Sequence, residues 1–435
     1  MKRVSAFLIS FVLIVALMIS TLSVSAADFG CNVDTVSKSI YMENLDTGTV
    51  VYEKNADEKL PPASLTKMMT YIVVCENVPD LENTKVEITE ESLDGLDPES
   101  SVMGLTGYIG EEFSVLDLLY GLMIPSGNDA ALVLANYVGN GSVQNFVDMM
   151  NSKSGQLGCK STHFVNPHGL YDSNHYSTAR DLALIAKYAS EKPFFNEIES
   201  KSLYTVKGMD SPLETTNYMI DPDYSDYYYP YVEGGKTGYT DEAGKCLAST
   251  AKKDDYRYMC IALGAPYSFS EDINYAMLDT KEMYEWAFNN IAFVKLVSAG
   301  EVVRKLPVEF KWGDVFSNAV TESDIKALLP LEHDESLIKT EIELPDSVRA
   351  TVEKGQVLGK ASVYYNDEFV GSTNIVANET IERDDSNYLM HRFIGFVVEH
   401  ILLIVIIMCV VIIVMAVLIS SHRNKKRRQS RRRYR

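Results

Sequence analysis

The chain is short of positive charge: 40 Lys and Arg stand against 60 Asp and Glu in 435 residues, a formal net charge of -20. Taking Lys2, Arg3 and the nine cations beyond residue 420 out of that total leaves about -31 on the body. A polyanion of that kind repels phosphate backbones, which argues against nucleic acid as a partner. Cysteine is sparse too. Cys31, Cys75, Cys159, Cys246, Cys260 and Cys409 form no CxxC pair and no short-range framework, which argues against a fold built on disulfides and leaves room for one or two bridges. His163, His168 and His175 straddle an Asn-Pro turn instead of sharing one helix face, so no zinc site and no cofactor is expected.

Long apolar runs occur only at the two ends. Met1-Lys2-Arg3, an apolar run over residues 7–22 and Ser23-Val24-Ser25-Ala26-Ala27 have the layout of a cleavable secretory signal, with cleavage after Ala26. Asp28-Phe29-Gly30 before Cys31 is wrong for lipid attachment. Residues 401–419 are apolar for long enough to cross a bilayer and are followed by Arg423, Lys425, Lys426 and six further arginines. Cationic flanks stay cytoplasmic and favour anionic lipid. The expected plan is a signal (1–26), a catalytic domain (27–290), a β-rich domain (294–376), a polar stalk (377–396), a transmembrane helix (397–419) and a basic cytoplasmic tail (420–435). The body then lies outside the cell membrane on a single pass.

Between the ends stand Ser64 and Lys67, then Ser126 and Asn128, then Lys236-Thr237-Gly238, in that order. Ser-x-x-Lys also occurs at Ser249/Lys252, Ser323/Lys326 and Ser336/Lys339, and Ser-x-Asn at Ser372/Asn374, so single elements carry no weight. Only Ser64 is followed by a Ser-x-Asn and then by the chain's sole Lys-Thr-Gly. Pro61-Pro62-Ala63 breaks the preceding chain, and Met68, Met69, Tyr71, Ile72, Val73 and Val74 read as a buried helix opened by Ser64. On it Ser64 and Lys67, at i and i+3, share a face.

A serine hydroxyl is a poor nucleophile until a base takes its proton, and lysine, with a reference pKa of about 10.4, must be made neutral to serve. Burial and a second cation, Lys236, both act in that direction. The backbone N–H of Ser64, at a helix start, and that of Tyr239 are placed to form an oxyanion hole. Ser126 and Asn128 fall in a tight turn between helices, where the first can relay a proton to a leaving amine and the second can position Lys67 and bond a substrate amide. Lys236, Thr237 and Gly238 fall on an edge strand; the first two suit a carboxylate, and the glycine lets a ligand approach the backbone.

These elements, with Pro62-Ala63-Ser64-Leu65-Thr66-Lys67-Met68-Met69-Thr70, Pro125-Ser126-Gly127-Asn128-Asp129-Ala130-Ala131, Asn166-Pro167-His168-Gly169-Leu170, His175 to Ala183 and Lys236-Thr237-Gly238-Tyr239-Thr240, resemble the D-alanyl-D-alanine carboxypeptidases, low-molecular-weight penicillin-binding proteins of the serine peptidase class. The likeness covers residues 36–376 and includes Lys354-Gly355-Gln356-Val357-Leu358-Gly359-Lys360. It implies an α+β fold, an antiparallel sheet with a helical subdomain of the β-lactamase/transpeptidase kind, followed by the β-rich domain. It implies an acyl-enzyme on Ser64, removal of the terminal D-alanine from peptidoglycan pentapeptide stems, and inhibition by β-lactams. Tyr239 and Thr240 join Lys236, Thr237 and Gly238 as substrate-binding residues.

Two features depart from the pattern. Leu263-Gly264-Ala265 runs into Pro266-Tyr267-Ser268 without the arginine the family often carries there for the substrate carboxylate, a task left to Lys236, Thr237, Thr240 or another residue. A tyrosine-rich acidic insertion, residues 221–231, precedes the glycines before Lys236. A β-lactamase would need a deacylating glutamate, and Glu191, Glu197 and Glu199 sit in no loop motif of that type. A non-catalytic penicillin sensor would be expected to have lost a catalytic residue, and none is lost.

Overall fold

The computed structural model describes residues 29–267 and 272–432, with the side chains of 424–432 left out. The expected signal, 1–26, and the side chains of most of the basic tail lie outside the described residues. Contacts divide the chain into two units: one runs to Phe293 and takes in Leu328–His333, the other comprises Val294–Ala327 and everything from Asp334 onward.

The first unit is built on a five-stranded sheet of β1 (Ser39–Asn44), β2 (Thr49–Lys54), β3 (Val232–Thr240), β4 (Gly244–Lys253) and β5 (Tyr256–Ala265), in the order β2-β1-β5-β4-β3 with every neighbour antiparallel. The β1–β2 hairpin turns at Asp46-Thr47-Gly48, where Gly48 takes a φ of +73° and Thr47 N–H donates to Asn44 Oδ1. β5 lies in the middle and is apolar on both sides. Its Met259, Ile261 and Leu263 pack into one core layer, while Tyr258, Cys260 and Ala262 pack into the other.

The first layer is closed by α1 (Thr66–Asn77), α2 (Val115–Met123), α3 (Asn128–Val138) and α4 (Ala179–Ser190). Every residue of α1 from Thr66 to Val74 is buried, as its continuous apolar run requires. Ser114 caps α2 by accepting from Asp117 N–H, and Thr178 caps α4 by accepting from Asp181 N–H. The opposite layer is closed by α5 (Tyr275–Asn290), whose Met277, Met283, Tyr284 and Ala287 are buried. The tyrosine-rich insertion is not a loose loop: Tyr229 is buried in this second layer, and Tyr224 stacks on Tyr218 with ring centroids 4.0 Å apart.

The second unit holds β6 (Val302–Glu309), β7 (Phe316–Thr321), β8 (Ile338–Glu343), β9 (Val348–Arg349), β10 (Val357–Tyr365) and β11 (Glu368–Ala377), in the order β8-β10-β11-β7-β6-β9. Only β6 and β9 run parallel. Leu306, Ala319, Val352, Ala361 and Ile375 form its core. The residues expected to be a polar stalk are partly helical: α6 spans Asp385–Glu399, capped by Asp384, which accepts from Ser386 and Asn387 N–H. The helix forms because apolar Leu389, Met390, Phe393, Ile394 and Phe396 follow the polar start, and all five are exposed. After a break at His400, α7 (Ile401–Arg432) begins; its segment Ile401–Arg423, 23 residues, is long and apolar enough to cross a membrane and is unburied.

Candidate active site

Ser64 lies in a single 3-10 turn, Ala63–Leu65, that leads directly into α1. Ala63 sits at a φ of +46°, a left-handed conformation that costs a β-carbon-bearing residue about 1 kcal/mol. Two glycines grip that turn. A β-carbon on Gly169 would stand 1.9 Å from Ala63 O, and one on Gly238 would stand 2.9 Å from Ser64 N. The missing side chain of Gly238 therefore makes room for the chain's own Ser64 turn, not only for a ligand. Gly169 is delivered by the Asn166–Leu170 turn, in which Asn166 Oδ1 accepts from Gly169 N–H at 2.7 Å and Asn166 Nδ2 donates to Leu170 O at 2.9 Å.

Lys67 is fully buried one helical turn on. Its Nζ is 2.9 Å from Ser64 Oγ, 2.6 Å from Asn128 Oδ1 and 2.8 Å from His168 O. The two carbonyl oxygens can only accept. A neutral amine has two N–H groups for them and one lone pair, which it turns to the sole neighbour able to donate, the Ser64 hydroxyl. Burial holds Lys67 well below the ordinary lysine range, and the nearby Lys236 cation pushes it further down, against a smaller opposing pull from Asp129.

Lys236, on β3 at the sheet edge, is also buried. Its Nζ donates to Ser126 Oγ at 2.8 Å and to Thr237 O at 2.9 Å, and burial brings its pKa down to about 7. Ser126 is held in the α2–α3 turn at a φ of +64°, a second left-handed residue at the same site. Strained backbone of this sort persists only where surrounding contacts enforce it. The structure thus joins Ser64, Lys67 and Asn128 in one set of contacts and Ser126 and Lys236 in another, with Lys236 near enough to act on Lys67 through its charge. Thr237 Oγ1 lies 2.5 Å from Thr216 Oγ1.

Tyr239 follows on the same strand; its hydroxyl donates to Asp241 Oδ1 at 2.6 Å. Thr240 Oγ1 accepts from Ala243 N–H at 3.1 Å within the β3–β4 hairpin, which leaves the hydroxyl its own proton to donate.

The histidines serve the scaffold. His175 accepts from Val165 N–H and lies 2.8 Å from Thr66 Oγ1, while His168 Nδ1 accepts from Leu170 N–H. Burial brings His168 to about 3 and His175 to about 4, so both are neutral near pH 7. Glu199, half-buried with its carboxyl pushed up to about 8 by burial and then by Glu233, lines a cavity of about 140 Å3 with Arg257 and Lys187. That lining includes none of Ser64, Lys67, Ser126 or Lys236. Glu197 instead accepts from the Tyr120 hydroxyl.

Three contributors escaped the sequence reading. His168 acts through its carbonyl, and Thr216 through a hydroxyl that meets Thr237. Asp129, fully buried, accepts four backbone N–H groups: Met103 and Ala130 on Oδ1, Gly104 and Leu105 on Oδ2, at 2.8–2.9 Å. It pins the strandless 101–105 loop, whose Ser101 O in turn accepts from Asn128 N–H at 2.8 Å. The available signal was an acid directly after Ser-Gly-Asn at the start of an otherwise apolar helix.

Comparison with known proteins agrees with this arrangement. A family model described as D-alanyl-D-alanine carboxypeptidase matches residues 25–267, and one for the C-terminal domain of penicillin-binding protein 5 matches residues 293–383. The chain is 32% identical to D-alanyl-D-alanine carboxypeptidase DacF of Bacillus subtilis, over 82% of this chain and 89% of that protein. It is also 32% identical to D-alanyl-D-alanine carboxypeptidase DacA of Haemophilus influenzae, over 85% and 91%. Among solved structures, penicillin binding protein 5 from Haemophilus influenzae superposes with a TM-score of 0.60 at 28% identity, covering 81% of this chain and 99% of that one. The motifs, the two-sided antiparallel sheet and these matches lead to one conclusion: the chain belongs to the D-alanyl-D-alanine carboxypeptidase family of serine peptidases, the low-molecular-weight penicillin-binding proteins.

Proposed function

We propose that this protein removes the terminal D-alanine from peptidoglycan pentapeptide stems through an acyl-enzyme on Ser64, which limits cross-linking, and that β-lactams acylate the same oxygen. The observation that carries the reading is Lys67 Nζ, 2.9 Å from Ser64 Oγ with two pure acceptors taking its other bonds. Lys67 takes the hydroxyl proton as Ser64 Oγ attacks the D-Ala-D-Ala carbonyl carbon, and the oxyanion is received by the N–H groups of Ser64 and Tyr239. Ser126, hydrogen-bonded to Lys236, relays the proton held by Lys67 to the departing amine of D-alanine, which leaves Lys67 neutral to take a proton from the water that follows. Water then attacks the ester and restores Ser64. Residues 27–290 carry this chemistry, and the β-rich domain of 294–376 follows them in the chain. The helix after residue 400 anchors the protein, with the body outside the cell and the cationic tail inside.

The decisive test is release of D-alanine from a synthetic pentapeptide ending in D-Ala-D-Ala, together with labelling by a fluorescent penicillin. Both are expected of the wild type and neither of Ser64→Ala. Labelling of Ser64→Ala would remove Ser64 as the nucleophile, and a wild type that releases no D-alanine would remove the carboxypeptidase reading.

The two lowered lysines also set a pH dependence. Activity needs Lys67 neutral, so kcat/KM falls on the acid side as Lys67 gains a proton. Binding is helped by Lys236 in its charged form, so kcat/KM falls again as pH rises through about 7. A bound carboxylate favours charged Lys236, so the alkaline limb of kcat lies at higher pH than that of kcat/KM. Profiles of both constants with the pentapeptide check this; coincident alkaline limbs would count against Lys236 as the group responsible.

A further inference from the structure

The end of β5 leads from Ala265 into Pro266 and Tyr267 without a cation, yet a terminal carboxylate needs one. Lys236 attracts that carboxylate from the Ser64 turn, but its Nζ is shared with Ser126 Oγ and Thr237 O, which leaves room for a second cation. Another lysine stands at the vacant corner. Lys245 is the second residue of β4, where the register sets it opposite Tyr239 of β3 on one side and opposite Ala265 of β5 on the other. It is therefore flanked by the strand carrying Lys236-Thr237-Gly238 and by the strand end that lacks the arginine.

Alternation puts Thr237 and Tyr239 on one face of β3, and a residue directly across from Tyr239 projects from that same face. Thr237 is the diagonal neighbour of Lys245, about 7–8 Å away between such positions in an antiparallel sheet, which a lysine stem can cover. The amine is held by aromatic faces: Lys245 Nζ lies 4.0 Å from the ring centroid of Tyr267 and 4.5 Å from that of Tyr239. Those rings are themselves fixed edge to face, 5.1 Å apart, with their hydroxyls on Asp272 and Asp241. Among the described residues no carboxylate forms a salt bridge with Lys245. A half-buried ammonium resting on two rings, with no salt bridge among the described residues and with Asp272 acting on it only through its charge, has an open position for an anion.

We propose that Lys245, seated between the Tyr239 and Tyr267 rings, receives the terminal carboxylate of the stem peptide beside Thr237, supplying the cation that is absent after Ala265. This rests on the carboxypeptidase reading above and names the group that selects a free C-terminus. Lys245 binds; it takes no part in proton transfer.

The test uses the full chain in detergent with two substrates, a pentapeptide ending in free D-Ala-D-Ala and the same peptide amidated at its C-terminus. Lys245→Gln is expected to raise KM for the free acid about 10- to 100-fold, with a much smaller change in kcat and little change for the amide. The preference for acid over amide then collapses, and Lys245→Arg keeps it. Lys245→Met, which preserves the stem against the rings, guards against a folding defect and is expected to behave as the glutamine variant does. Retention of the wild-type acid-to-amide ratio in both uncharged variants overturns the proposal. If the wild type cleaves neither peptide, the carboxypeptidase reading fails by itself. Lys245 is then judged by acylation of Ser64 with a penicillin and its methyl ester, where loss of discrimination in Lys245→Met supports the assignment and unchanged discrimination overturns it.

Discussion

Lys67→Arg is expected to slow acylation of Ser64 by about 1,000-fold or more, in line with the loss of a positioned general base. Arginine keeps the positive charge but stays protonated throughout the working range, so it cannot take the Ser64 proton. In the native site Asn128 Oδ1 and His168 O absorb the two protons of a neutral amine. A guanidinium in the same place donates to all three oxygens and so holds the hydroxyl as an acceptor, the reverse of what attack requires. Stopped-flow acylation with a chromogenic β-lactam and pentapeptide turnover both report on it, with circular dichroism to confirm the fold. Activity within tenfold of wild type would show that another group takes the proton.

Asp129→Ala is expected to cost the first unit about 4 kcal/mol or more. Its carboxylate accepts Met103, Gly104, Leu105 and Ala130 N–H, and a buried donor without a partner costs roughly 1–3 kcal/mol. Against a total stability of roughly 5–15 kcal/mol that is a large fraction, and in a unit of this size it lowers the melting temperature by about 10 °C. Penicillin labelling falls as well, because the released 101–105 loop no longer holds Asn128 by its backbone N–H. Thermal unfolding of the solubilised protein reads the first effect. A melting temperature within about 2 °C of wild type would mean that water satisfies these amides and that the anchor has been overvalued.

What could be read from the amino-acid order follows from the range over which each signal acts. The edge position of β3 and the burial of α1 rest on local turn chemistry and periodicity, and both stand where they were expected. The meeting of Ser64 and Lys67 needs only a helical turn between them. Asp129 was invisible because its partners lie about 25 positions upstream in a segment with no periodic pattern. Thr216 left no trace because a threonine hydroxyl bonding across two segments imposes no spacing. The bond between Ala243 N–H and Thr240 Oγ1 left no trace because a hairpin-turn contact of this kind imposes no periodic pattern. The helix at Asp385–Glu399 was missed because the polar residues of 377–387 masked the apolar ones that follow.

The grip of Gly169 and Gly238 on Ala63 and Ser64 has a consequence for how such a protein can answer drug pressure. Any side chain at either glycine runs into the backbone that aims the nucleophile, so a variant that excludes a β-lactam by narrowing the floor of the cleft also disarms the reaction on its natural peptide. Escape routes that keep the enzyme working are thereby confined to the outer wall, to residues such as Thr216, Tyr239 and Lys245, where a change alters what is admitted without moving the atom that attacks.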